Sequence, residues 1–111
     1  PELEVAAIGT NSAATAAMKK AGASKAATGE NAIVVSAGKA KVIAGPIGII
    51  LADAMMGEIT PKMAEAVGSS DAHKVLIPMN KCGTYITGVG DYSVAELVKQ
   101  AVAQIKIYLG E

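Results

Sequence analysis

The sequence predicts an α/β domain: a three-layer, Rossmann-like sandwich with a mostly parallel sheet. Three observations support this fold class. Short apolar runs alternate with helix-like segments, which is the pattern of parallel crossover units. Some runs are apolar at nearly every position, as strands buried on both faces of a parallel sheet are. The main runs end in small polar residues, and a helix start follows each of them.

The strands are predicted from apolar runs between turn-forming residues. They cover residues 3–8, 24–28 (a strand or a loop), 41–44, 74–77 and 85–89. The helices are predicted from a capping residue, a body with an apolar face and a glycine stop. They cover residues 12–21, the stretch between 28 and 38, and residues 47–56, 62–67 and 93–108.

Polar residues mark the helix starts. Thr10 or Asn11 is predicted to cap the first helix, and Thr28 the second. Thr60 stands before a proline, which is favoured in a first helical turn. Ser93 opens a capping box for the last helix. Each junction therefore has a local signal of its own.

The helix over 47–56 follows Pro46, whose φ suits a first turn. It is apolar nearly all round apart from Asp53, so we expect it to be buried on most sides. A buried carboxylate needs a partner or marks a function. The alternatives for Asp53 are a solvated or interface position, or a salt bridge with a lysine.

The composition limits the classes of partner. Of 111 residues, 51% are hydrophobic and 18% are charged, against about 25% charged in ordinary globular chains. Few charges are present to cover the outside, so we expect self-association, with a tight Ala-rich core as the alternative. The net charge is zero and arginine is absent, which argues against nucleic-acid binding.

Cys82 and His73 are the only residues of their types. One cysteine excludes an internal disulfide and, with one histidine, argues against a zinc site. His73 precedes a predicted strand and Cys82 follows it, which disfavours a Cys–His dyad. The apolar stretch 42–56 is too short to span a bilayer. We therefore expect a cytoplasmic protein with no membrane segment.

The candidate site is the carboxyl edge of the sheet, where ligands of open α/β sheets bind. Helix N-termini, glycine backbone and side-chain oxygens there would contact a small anionic or nucleotide-like ligand. The candidate residues are Gly9, Thr10, Asn11, Thr28, Gly29, Glu30, Gly45, Gly48 and Asn80. The alternative at each junction is plain helix capping or a tight turn.

The residues leave the function class open. A binding domain is the leading hypothesis, because no strong catalytic constellation is visible. The second is an enzyme acting on such a ligand, with Glu30 or Asp53 as acid or base. The third is a structural or regulatory subunit, which predicts an exposed apolar patch and a crevice filled by the protein's own side chains. The cofactor stays unknown, and no catalytic residue is assigned beyond these two alternatives.

Several segments resemble a small bacterial family of uncharacterised α/β proteins. They cover residues 7–11, 27–35, 45–50, 57–66 and 77–82. The resemblance implies a Rossmann-like fold and no particular activity. Typical members start earlier, with a strand, a Gly-rich turn and a helix, whereas Pro1 stands where that unit would have ended.

That first strand is central in the doubly wound order. We therefore expect residues 1–111 to form a single α/β domain that lacks an amino-terminal strand-helix unit and exposes two strand edges. Rearranged pairing, a swapped partner or a separate amino-terminal piece would then satisfy those edges.

Overall fold

Parallel strands connected by helices make up the domain. The computed structural model describes residues 4–79 and 83–110. Its strands are β1 (Ala6–Gly9), β2 (Lys25–Thr28), β3 (Val42–Pro46) and β4 (His73–Ile77). Its α-helices are α1 (Ser12–Lys20), α2 (Glu30–Ala37), α3 (Pro61–Gly68) and α4 (Val94–Tyr108), and Ile47–Ile50 form a turn of 3-10 helix. The predicted α/β class is confirmed.

The described strands form two separate parallel pairs. β1 pairs with β2, with Ala6 opposite Lys25. β3 pairs with β4, with Val42 opposite His73. No strand ladder joins the two pairs within residues 4–79 and 83–110. The single continuous sheet that the sequence predicts is therefore not observed.

Helices α2 and α3 connect the two strand pairs, and they pack against each other. At their starts the Thr60 hydroxyl donates to the Glu30 carboxylate at 2.5 Å, and beyond their ends the Ser70 hydroxyl donates to the Ala37 carbonyl at 2.6 Å. Because start meets start and end meets end, the two helices run in the same direction. Since α2 follows β2 and α3 precedes β4, the contact between these two helices links one strand pair to the other.

The apolar core is centred on the segment just before α3. Ile59 is 1% exposed and clusters with Ala54, Met63 and Ala64. Ile33 of α2 packs against this cluster. Full burial of such an isoleucine contributes about 1.5–3 kcal/mol. The core thus stabilises the same helix pair that links the strands.

Side-chain caps confirm most of the predicted helix starts. The side chains of Asn11, Thr60 and Ser93 each accept a hydrogen bond from the backbone of the first turn that follows. The prediction for Thr28 is wrong, because the N-cap of α2 is Gly29, which has a φ of 104° and no side-chain cap. Only glycine adopts this φ without strain.

The predicted helix over 47–56 is wrong. After the 3-10 turn the backbone turns through Asp53, Met55 and Met56, whose φ values are 64°, 58° and 57°. The Asp53 N–H donates to the Ile59 carbonyl at 2.7 Å, which folds the segment back on itself. Burial of Ile59 in the core therefore outweighs the helix pattern of the apolar run.

Two of the predicted strands, at residues 24–28 and 85–89, have different outcomes. The stretch at 24–28, which the sequence leaves open between strand and loop, contains β2. The strand predicted over 85–89 is not formed, and Tyr85 is 81% exposed. β-Branched and aromatic residues form a strand only where a neighbouring strand or a packing surface is present.

Ile59→Ala tests the position of the core. It should lower the free energy of unfolding by about 2–5 kcal/mol, and Ile59→Val by about 0.5–1.5 kcal/mol. Urea denaturation measures both. The control is Val35→Ala in α2, where the side chain is 46% exposed and a loss below about 1 kcal/mol is expected. Equal losses at the two sites would contradict this core.

Met56→Gly tests the left-handed turn. Met56 has a φ of 57° and a fully exposed side chain, and this backbone conformation costs a non-glycine residue about 1–2 kcal/mol. Glycine should therefore raise the midpoint of urea denaturation. Met18→Gly, inside α1, is the matched control and should lower stability by about 1 kcal/mol. Destabilisation of both variants would show that residue 56 is not left-handed.

Candidate functional site

The residues that follow β1 contact Glu58, which lies in the connection between β3 and α3. Thr10 and Asn11 follow β1, whereas Glu58 lies between the 3-10 turn and α3. The Thr10 hydroxyl donates to one Glu58 oxygen at 2.6 Å, and the Asn11 amide lies 3.4 and 3.5 Å from the two oxygens. The amide oxygen of Asn11 also caps α1 at 2.8 Å. The Asn11 side chain is therefore bound through both its amide nitrogen and its amide oxygen.

A second contact lies at the same edge. The Thr60 hydroxyl donates to Glu30 at 2.5 Å and accepts the Met63 N–H at 3.2 Å, so one hydroxyl caps α3 and binds the first residue of α2. We refer to Thr10, Asn11, Glu30, Glu58 and Thr60 as the carboxyl-edge cluster.

Two carboxylates lie at helix N-termini in this cluster. Glu30 is in the first turn of α2, and Glu58 binds Thr10 and the cap residue of α1. The partial positive charge of a helix N-terminus stabilises a carboxylate there and can equally bind a phosphate. Neither carboxylate forms an ion pair with a described lysine. The cluster therefore offers negatively charged acceptors, which suit hydroxyl donors better than anions.

Gly9 has a packing role that the sequence analysis did not identify. A Cβ built on Gly9 would lie 2.2 Å from the Thr15 hydroxyl and 2.7 Å from its backbone nitrogen. Thr15 is 8% exposed, and its hydroxyl donates to the Asn11 or Ala27 carbonyl and accepts from Thr28 at 2.8 Å. The close approach of α1 to β1 thus explains this glycine without a ligand.

The other candidate glycines differ in their surroundings. A Cβ added at Gly29 would project into open space, and the Gly29 N–H donates to the Gly9 carbonyl at 3.0 Å. At Gly45 a Cβ would lie 3.2 Å from the side-chain end of Ile49. Gly48 is buried in the 3-10 turn. Of these three glycines, Gly29 adjoins the cluster, because it directly precedes Glu30.

Several candidates lie apart from the cluster. Asn80, and Cys82 with it, fall outside the described residues. Asp53 is exposed on its turn, and no described hydrogen bond joins its carboxylate to the cluster. His73 begins β4 at the opposite edge, where its ring stacks on Tyr108 with centroids 4.1 Å apart.

Two hollows in the surface also lie at the opposite edge. Both are shallow, of about 420 and 440 Å³, and they share Ala40, Asp71 and Ala72 in their walls, between the ends of α2 and α3 and the start of β4. Neither includes a cluster residue.

Within residues 4–79 and 83–110, no group of His, Cys, Asp and Glu side chains is placed to hold a metal ion. No described helix has both the length and the apolarity needed to cross a bilayer.

Glu58 is the main residue that the sequence analysis missed. It follows Gly57 and precedes Ile59, in a stretch that carries no ligand-binding motif. Its partner Thr10 lies 48 positions earlier in the sequence. Such a contact depends on the packing of the whole domain, so no local pattern indicates it.

The fold and the cluster define a small α/β domain with a polar site at the carboxyl ends of its strands. A family model described as a domain of unknown function, DUF3842, matches residues 1–110, and the chain belongs to this family. No curated protein and no solved structure matches the chain. The predicted membership of an uncharacterised family is confirmed, and the existence of longer members stays a prediction.

Thr60→Val tests the double role of the Thr60 hydroxyl. It removes the cap of α3 and the donor to Glu30, so the free energy of unfolding should fall by about 1–3 kcal/mol. Thr60→Ser keeps the hydroxyl and should stay within about 1 kcal/mol of the parent. Chemical denaturation measures both variants.

Ser93→Ala is the matched control for this substitution. Ser93 caps α4 at an exposed position, and its loss should cost about 0.5–1 kcal/mol. If Thr60→Val cost no more than this, the contact with Glu30 would contribute nothing to stability.

Proposed function

We propose that the domain binds a small nucleotide-like ligand at the carboxyl edge of a Rossmann-like fold. One observation supports this most: Thr10 and Asn11, which follow β1, both contact Glu58, which lies in the connection between β3 and α3. In doubly wound folds the ligand lies outside the carboxyl ends of the strands, where the strand order reverses. The cluster joins residues that follow β1 and β2 to the segment before α3, which supports this comparison.

The chemistry of the cluster favours a ligand with hydroxyl groups over a simple anion. Glu30 and Glu58 each accept a hydrogen bond from a threonine hydroxyl. A sugar hydroxyl is the same kind of donor and can replace the threonine, whereas a phosphate in that place would face two carboxylates. We therefore assign the cluster to the ribose of a nucleotide-like ligand.

A second candidate function is a structural or regulatory subunit without a small ligand. The protein's own Glu58 carboxylate lies against Asn11, the N-cap residue of α1. Val94, Val98 and Val102 form one line along α4 and are 56%, 43% and 45% exposed. A filled crevice and an exposed apolar line are the features expected of such a subunit. Self-association is part of this alternative.

Calorimetric titration with AMP, GMP and UMP tests the proposal. We expect saturable binding by at least one of them and clear loss of binding when a 2′,3′-dideoxy analogue replaces it. Glu58→Gln should weaken binding about 10-fold or more, because a hydrogen bond to a charged group contributes about 1.5–3 kcal/mol. Glu65→Gln, an exposed acid of α3 outside the cluster, should bind like the parent.

Other results of the titration would contradict the proposal in different ways. Binding of inorganic phosphate with the same affinity as the nucleotides would indicate an anion site. No heat with any probe at millimolar concentration, with the protein folded, would favour the structural subunit. Equal weakening by Glu58→Gln and Glu65→Gln would place the ligand elsewhere.

A further inference from the structure

The methionines of the chain differ widely in their exposure. The sequence contains five of them. Met56 is as accessible as in an extended peptide, at 104%, whereas Met18 is 38% and Met63 is 4% exposed. Met55 and Met79 are partly buried. One thioether is therefore fully open to solutes, and it lies in the left-handed turn before α3.

Met63 shows what a packed methionine contributes to this fold. Its side chain lies in the core cluster with Ile59. Its sulfur accepts the Thr60 N–H at 3.4 Å, within the capping box of α3. Met63 thus supplies both burial and a hydrogen bond. Met56 is fully exposed, so its side chain supplies no burial.

The backbone conformation of Met56 is unfavourable for a residue with a side chain. Met56 has a φ of 57° and lies between Met55, at 58°, and Gly57, at 87°. Glycine adopts this conformation without strain, whereas other residues do not. Burial of the Met56 side chain does not offset the strain, so glycine would suit the fold alone better. Strained residues of this kind are concentrated at functional sites.

Backbone hydrogen bonds on both sides fix the position of Met56. The Gly57 N–H donates to the Asp53 carbonyl at 3.1 Å, and the Glu58 N–H donates to the Met55 carbonyl at 3.2 Å. Glu58 follows Met56 by two positions, so their Cα atoms are at most about 7 Å apart. The turn therefore holds an open thioether beside the carboxyl-edge cluster.

We propose that Met56 is a reversible oxidation site of this domain, with a peroxide as the oxidant. The sulfur attacks one oxygen of hydrogen peroxide, the O–O bond breaks, and the sulfur gives up two electrons. The proton on the transferred oxygen passes to the departing hydroxide, which leaves as water. The product, methionine sulfoxide, is polar, and sulfoxide reductases return it to the thioether with electrons from a dithiol.

Oxidation at Met56 is compatible with the folded domain. A sulfoxide at this position extends into solvent, so it adds a polar acceptor near Glu58 without disturbing the core. A sulfoxide at Met63 would instead place a polar oxygen in the apolar cluster around Ile59. Oxidation confined to Met56 therefore changes the surface and spares the fold. This chemistry needs no bound ligand and is independent of the proposed function.

Oxidation rates measured for each methionine test the proposal. Folded protein and protein unfolded in urea are treated with hydrogen peroxide, digested with trypsin and analysed by mass spectrometry. Cleavage after lysine separates Met18, Met63 and Met79. Fragmentation resolves Met55 from Met56 on their shared peptide. Folding should slow the oxidation of Met56 less than about 2-fold and that of Met63 at least about 10-fold.

Two variants identify the reactive residue. Met56→Leu should abolish the fastest oxidation and leave the rates at the other methionines unchanged. Met18→Leu, in α1, is the matched control and should keep the fastest oxidation. The parent protein oxidised only at Met56 should retain its midpoint of urea denaturation. Reductases for both sulfoxide epimers, with dithiothreitol, should restore its original mass.

Three results would overturn the proposal. The first is protection of Met56 by folding to the same degree as Met63. The second is unfolding of the domain by oxidation at Met56 alone. The third is a sulfoxide at residue 56 that the reductases remove from the unfolded chain and not from the folded protein. None of these measurements involves a nucleotide, so failure here is distinguishable from failure of the proposed function.

Discussion

The burial of Ile59 is the constraint on which the rest of the domain depends. Ile59 is 1% exposed and stands between Glu58 and Thr60, so one buried side chain positions the two residues that reach the other strand pair. The core surrounds this segment and the facing sides of α2 and α3, whereas all four residues of β2 are exposed. Helix packing, more than strand pairing, therefore determines how the two halves are placed.

The elements that the sequence predicts correctly carry their signals at their own ends. α1, α3 and α4 begin at side-chain caps, and β3 and β4 are apolar runs bounded by turn residues. The prediction fails at 47–56, where an apolar run reads as a buried helix. There the competing interaction is the burial of Ile59, which lies after the apolar run. The backbone reaches this buried position through left-handed turns. Helix propensity is a weak preference that such packing overrides.

From the sequence, the candidate site can be predicted only as the carboxyl edge of the strands, and not residue by residue. The parallel-strand rule identifies Thr10, Asn11 and Glu30, and the structure brings them to one side of the domain with Glu58 and Thr60. It cannot identify Glu58, because that residue acquires its role from a contact across the whole chain. The same rule interprets Gly9 as a position where a ligand approaches the backbone. In the structure Thr15 takes up the space beside Gly9. Whether these residues bind a ligand stays a prediction.

The divided sheet and the polar cluster are physically connected. At the carboxyl edge the two halves are joined through side-chain hydrogen bonds, each of which contributes about 0.5–1.5 kcal/mol net, or up to about 3 kcal/mol with a carboxylate. Because so few bonds join the halves, a ligand that contacts residues of both would stabilise their relative placement by its own binding free energy.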